Sequence, residues 1–265
     1  FTNECKEASY LERLKEAYPI HPEVFDRLYD DWSTLDKFQR TRGVLRLMAA
    51  TIHQLWISGD KSFMIMPGTF PLDSQRVRDE LTGYLSDEWN AIVDSDIDGE
   101  RSEPKKVDES NNRFGMISAG RKISRTIFLG SAPSAKEQKN RGIEDVRIIL
   151  GAVQPEEKIA IFRDALSAIS QKSTYLYYQG NRYWYDSHPN LRKTVDDRAG
   201  RLDKEEVYAE IMNRLHHLKD KGDFAGIHMC ADSEDIADDD EARLVVLSPN
   251  SSHKKDSQLS EALIK

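Results

Sequence analysis

The sequence predicts a mainly helical α+β protein. A helical subdomain comes first, then three helices closed by a β-hairpin, then the start of an α/β segment. Three observations carry this. Through most positions before 170, apolar residues recur at three- and four-residue steps, the period of amphipathic helices. One stretch departs from that period: STYLYYQ and RYWYDS, two aromatic-rich runs, flank Gly180-Asn181, a two-residue loop suited to a tight hairpin. Beyond Asp203, a helical pattern leads into FAGIHMC and ARLVVLSP, short apolar runs of the strand type.

Residues 3–18 read as one amphipathic helix, with Tyr10, Leu11, Leu14 and Tyr18 near one stripe. Pro22 stands just inside the next helix, where its missing N–H costs nothing. Ser33 or Thr34 is placed to cap TLDKFQRTRGVLRLMAATIHQLW, whose Leu45, Met48, Ile52 and Leu55 form the expected core stripe. These helices make a subdomain of residues 1–58. Pro67, Gly68 and Pro71 then break the period, and a helix is expected from Ser74 to about Val93, with Val77, Leu81, Leu85 and Trp89 four apart. Residues 94–112 have almost no large apolar side chain and read as an exposed polar loop. Helical patterns over 113–129, 143–153 and 156–170 follow, with Gly142 and Pro155 as punctuation. Three helices ending in a hairpin is the order of a winged helix, so 59–200 is expected to be a winged-helix-like domain with the 94–112 loop inserted. Residues 201–265 are expected to hold a partial α/β segment.

Composition narrows the class further. Hydrophobic residues make up 38%, with four Trp, ten Tyr and nine Phe, enough to pack cores and to exclude wholesale disorder. Apolar runs such as Leu244 to Leu247 are too short to span a bilayer. Cys5 and Cys230 lie far apart without metal-type spacing, which fits a reducing, cytoplasmic setting. With 46 acidic against 38 basic residues the net charge is −8, so any nucleic-acid role needs a local basic surface. The start FTNECKEASYLERL has neither an initiator Met nor a leader pattern, and SEALIK breaks off in a helical pattern; both ends read as cut from a longer chain.

No catalytic constellation emerges. The closest approach to a phosphate-cradling loop is GMISAGRK, where Arg121 stands in place of the Lys and Lys122 in place of the hydroxyl, within a helical pattern. DSDIDG offers Asp94, Asp96, Asp98 and Gly99 as the front of a calcium loop. Lys105 then occupies the position of the closing Glu, so a solvated acidic loop is the better reading. His228, Cys230 and Asp232 alternate along an expected strand, but no second ligand pair accompanies them. The most informative segment is FQRTRGVLRLMA, where Arg40, Arg42 and Arg46 lie on the polar side of a helix. Arg42 and Arg46, four apart, can converge on one anion, with Gly43 permitting close approach. Composition alone favours a solvated basic face paired with Asp26, Asp30 and Asp31.

YPIHPEVFDRLYDDWSTLDKFQRTRGVLRLMA resembles a block of the domain-of-unknown-function 499 family, large prokaryotic predicted ATPases of AAA+-like P-loop type. RTIFLGSAP, NRGIEDVRIILG, YLYYQGNRYWYD and ARLVVLSP resemble later blocks, so the likeness runs along nearly the whole chain. The resemblance implies that residues 1–58 are the helical lid of an ATPase whose P-loop core, holding ATP and magnesium, lies upstream. It implies DNA methyltransferases or helicases of anti-phage islands as associates. It also implies a sensor role for Arg46, which with Gly43 matches the G-x-x-R pattern of such lids, and for Arg42 beside it.

DNA is the other candidate partner. The expected recognition helix, 156–170, has Glu156, Glu157 and Asp164 against Lys158 and Arg163, a net −1. Around the wing, Lys172, Arg182, Arg192 and Lys193 against Asp186 give a net +3, enough for weak binding with a log-log salt slope of roughly −3. Trp184, with Tyr177 and Tyr183, is placed either to stack on bases or to pack the hairpin onto its helices.

Overall fold

A computed structural model of the 265-residue chain describes residues 2–35, 38, 41–133 and 141–251, and is mainly helical with two small sheets. The chain divides into two compact units, 1–195 and 196–265.

The first unit opens with α1 (Ala8–Ala17) and α2 (Pro22–Asp26), which widens into a π-type turn over Arg27–Asp31. Pro22 is at the start of α2 as the sequence requires, and the His21 ring caps the helix by accepting from the Glu23 N–H at 3.2 Å. Helix α3 spans Thr41–Ser58 and so begins well after Ser33 and Thr34, which lie in a short turn over Trp32–Thr34. Its buried side also differs from the expected stripe. Gly43, Val44, Leu47, Met48, Ala50 and Thr51 face the core, while Leu45 is 65% and Ile52 47% exposed. A second set of apolar residues one position away satisfies the same period, and packing chose that set.

The segment expected to be one helix over 74–93 is two, α4 (Gln75–Thr82) and α5 (Glu88–Ile92), with a break after Gly83. Residues 94–112 are not an exposed loop. A π-type turn over Val93–Ile97 leads into α6 (Glu103–Ser110), and Asp96, Asp98, Ser102, Val107 and Asp108 are all buried. Composition misled there because the buried groups are carboxylates, which the fold supplies with donors.

The 113–129 pattern is split by Ser118 in a left-handed conformation (φ 51°) into α7 (Asn112–Gly115) and α8 (Ala119–Ser131). Helix α8 is central: from Ile123 onward only Arg125 stays partly exposed, and Ile123, Ile127 and Phe128 are fully buried. Trp32, also fully buried, donates its indole N–H to the Leu129 carbonyl at 2.7 Å and packs edge-on to Phe128. The N-terminal helices therefore share one core with the rest of the unit.

Strand β1 (Ile143–Glu144), α9 (Asp145–Ala152), α10 (Ile159–Lys172), β2 (Leu176–Gln179) and β3 (Arg182–Tyr185) follow α8. The sheet is antiparallel in the order β1-β3-β2. Gly180-Asn181 closes the β2–β3 hairpin, with Gly180 at φ 59°, as the sequence predicts. Gly142 enters β1 at φ 86°, where a Cβ would lie 2.6 Å from the Tyr183 carbonyl oxygen; only glycine fits there. Tyr185 is fully buried and donates its hydroxyl to the Asp96 carbonyl at 2.8 Å, tying the hairpin to the acidic turn.

Helix α11 (Leu191–Ala199) runs across the boundary between the units. In the second unit, α12 (Lys204–His216) is followed by β4 (Gly226–Met229) and β5 (Arg243–Val246), a parallel pair within the two expected strand segments. No residue of α12 is buried, and both strands are only partly covered.

Candidate functional site

At 3.6 residues per turn, the core face of α3 leaves an exposed arc holding Arg42, Leu45, Arg46, Ala49, Ile52, His53 and Trp56. Trp56 is 85% exposed. The Arg46 guanidinium reaches α4, donating from Nε and a terminal nitrogen to Glu80 Oε2 at 3.1 and 2.5 Å, and to the Tyr84 hydroxyl at 3.2 Å. Tyr84 is itself held edge-on to Phe38. Arg42 is exposed and has no hydrogen-bond or ion-pair partner among the described residues. Of the acids expected to pair with this face, Asp26 and Asp31 bind Arg13 and Arg27 instead. Gly43 lies on the core side, where a Cβ would meet the Phe38 carbonyl; its role is packing rather than approach to an anion. Arg40 lies outside the described residues.

The second candidate surface lies between α10 and the hairpin. A cleft of about 380 Å³ is lined by Asp145, Arg163, Ser167, Gln171, Tyr178 and Tyr183, among others. Because α10 starts at Ile159, its charges are Arg163 and Lys172 against Asp164, a net +1 rather than −1. Arg163 has no partner among the described residues. The hairpin residues named from sequence are otherwise engaged. Arg182 pairs with Glu144 at 2.8 Å and donates to the carbonyls of Arg141 and Gly142, fastening β3 to the chain ahead of β1. Trp184 is stacked on Tyr177 (centroids 5.9 Å, 13°), with the Arg141 guanidinium over its ring at 5.7 Å. Both residues hold the hairpin together instead of facing a ligand. Lys172 is exposed and Lys193 half-buried, while the Arg192 side chain lies outside the described residues.

The sequence reading missed a buried carboxylate cluster. Asp98, fully buried, accepts from Arg121 Nε at 2.7 Å, Arg125 Nε at 2.8 Å and the Asp73 N–H at 2.9 Å. Asp96 accepts from the Tyr175 N–H at 2.6 Å, and burial raises its pKa to about 6. Asp94 pairs with Arg78 at 2.6 Å. The three aspartates of DSDIDG thus serve separate protein partners. Asp108 accepts from the Gly120 and Arg121 N–H groups at 2.7 and 3.2 Å, filling the N-terminus of α8 with an internal anion; burial raises its pKa to about 6. GMISAGRK therefore follows a helix rather than a strand, and its first free N–H groups are already taken. In the second unit, β4 ends at Met229 and Cys230 turns left-handed (φ 52°), so the alternation of His228, Cys230 and Asp232 on one strand face is lost. Among the described residues no group of three His, Cys, Asp or Glu side chains is arranged to hold a metal, and no helix is long and apolar enough to cross a membrane.

Fold and surfaces together define a mainly helical α+β protein with a helix-plus-hairpin sheet. Residues 5–185 match the family model described as the DUF499 second domain, and the chain belongs to the DUF499 family. No curated protein and no solved structure matches it.

Proposed function

We propose that this chain is a non-catalytic, regulatory portion of a larger ATPase. In this reading the N-terminal helices act as a lid on an upstream P-loop core that holds ATP and magnesium, and α8 to β3 form a winged helix. The observation that carries the proposal is Arg42: an exposed guanidinium one turn from Arg46, with no partner, beside an apolar surface with nothing packed on it, among the described residues. An arginine held at the rim of a surface that will be covered is suited to meet a phosphate in a closing cleft, where its charge acts at low dielectric. Arg46, already tied to Glu80, positions the helix or exchanges partners on closure. The winged-helix part of the reading is supported by the element order α8-β1-α9-α10-β2-β3 with sheet order β1-β3-β2.

The test is ATP turnover by the intact protein. Arg42→Ala is expected to lower it about 10- to 100-fold, the worth of one charge-assisted hydrogen bond of about 1.5–3 kcal/mol. The 265-residue chain alone is expected to show none above buffer. Unchanged turnover in Arg42→Ala removes the sensor role.

A nucleic-acid-binding adaptor is the second reading, favoured by the net +1 of α10 and by free Arg163 above a cleft walled by two tyrosines. Arg163 and Lys172 as phosphate contacts give an expected log-log salt slope of about −1.8 in fluorescence anisotropy on duplex DNA. Absence of binding at low and moderate salt alike rules the adaptor out.

A further inference from the structure

Helix α3 exposes Arg42 and four apolar residues in a stripe nearly symmetric about its own middle. Counting from Ala49, Arg42 and Trp56 lie seven residues to either side, and Leu45 and Ile52 four and three residues away. At 100° per residue all five fall within one narrow arc, and Ala49 is near the centre of the whole exposed face. A stripe with steps of 3, 4, 3 and 4 is the spacing at which one helix packs along another at a shallow angle. The small side chain at its centre allows close approach. Among the described residues of the first unit, α3 is packed along its inner side, on the core and α4.

We propose that this face binds a second copy of the chain, α3 against α3, antiparallel, with the two-fold axis at Ala49. Antiparallel pairing places each Arg42 guanidinium at the partner's Trp56 indole, a cation–π contact at both ends of the stripe, and sets Leu45 against the partner's Ile52 turn. Parallel pairing would bring the two Arg42 side chains together. Antiparallel pairing keeps them about 21 Å apart, beyond the screening length of about 8 Å at physiological salt. Arg46 does not oppose the contact, since Glu80 neutralises it. The area is adequate for a reversible dimer. A lone indole can bury about 150–250 Å², and Trp56 is joined by Leu45, Ile52 and Ile57, 65%, 47% and 64% exposed. Together they offer on the order of 500 Å² per partner, below the roughly 800 Å² of a standard interface and in the range of a weak, reversible one. The inference does not depend on the ATPase reading. It adds one consequence to it: a dimer covers Arg42 and withdraws it from any anion.

Sedimentation equilibrium of the 265-residue chain at 1–100 μM, with disulfide crosslinking, tests the geometry. The chain is expected to dimerise, and Ile52→Glu, whose native side chain is nearly half exposed, to be folded and monomeric. In a Cys5→Ser, Cys230→Ser background, Ala49→Cys is expected to crosslink under mild oxidation and Trp56→Cys not to crosslink. A monomer at 100 μM, a dimer indifferent to Ile52→Glu, or crosslinking through position 56 overturns the proposal. The first two outcomes leave the turnover test of Arg42 untouched, so the two readings fail separately.

Discussion

Asp98→Ala is the substitution expected to damage the first unit most for the smallest change in volume. The carboxylate is fully buried and holds two guanidinium groups, those of Arg121 and Arg125, as well as the Asp73 N–H. Once it is gone, the arginines, only 22% and 12% exposed, retain the partly solvated Asp73 carboxylate at 3.1 and 3.8 Å. Breaking a buried pair from one side costs about 3–5 kcal/mol, because the remaining charge keeps its desolvation penalty. The fallback anion and the residual exposure place the loss near the lower end, about 3 kcal/mol. For a unit of this size that corresponds to a fall in Tm of roughly 6–12 °C. Glu100→Ala is the control. Its carboxylate is 90% exposed and, among the described residues, pairs with Lys105 alone, so a change within about 0.5 kcal/mol is expected. Urea unfolding followed by far-UV circular dichroism, with the m-value compared across variants, reads both. If Asp98→Ala stays within 1 kcal/mol of the parent, or matches Glu100→Ala, the acidic stretch is not a structural clamp.

Leu47→Ala should cost about 2–5 kcal/mol and Leu45→Ala under about 0.5 kcal/mol in urea melts of monomeric protein; equal losses would restore the stripe expected from sequence. Asp96 supplies a pH test. Its pKa of about 6 in the folded chain exceeds the ordinary 3.8, so the folded state holds the extra proton between those values. The resulting stabilisation is complete below pH 3.8 and disappears as pH rises through 6, so the stability of the parent relative to Asp96→Asn should fall by up to about 3 kcal/mol from pH 4 to 7. A difference that is flat across paired melts at pH 4, 5.5 and 7 would exclude burial as the cause. Gly142→Ala places a side chain at φ 86° against the Tyr183 carbonyl and should lower stability by more than about 1 kcal/mol, measured by thermal unfolding; a neutral result would mean that β1 shifts freely.

Local signals were legible wherever one residue type admits one backbone. Pro22 opened α2, Gly180-Asn181 closed the hairpin, and the aromatic-rich runs on either side of it put β2 and β3 in place. Periodicity placed α9, α10 and the two strands near residues 226 and 243, while it ran α4 into α5 and α7 into α8 and missed α6. What periodicity leaves open is which of two adjacent apolar sets faces inward. On α3, Leu45 and Ile52 satisfy the helical period as well as Val44, Leu47 and Thr51 do, and only docking on Trp32, Phe38 and the helices behind them decided between the two. Polarity was the other ambiguous signal. A run of aspartates looks solvated until its partners are known, and those partners lie 16 to 79 residues away, at Arg78 for Asp94, at Asp73, Arg121 and Arg125 for Asp98, and at Tyr175 for Asp96. Of the candidate sites, Arg42 has no partner among the described residues, while Arg182 and Trp184 became struts of the hairpin. An arginine or a tryptophan is as well suited to one role as to the other, and the number of acceptors and rings within reach is set by tertiary structure.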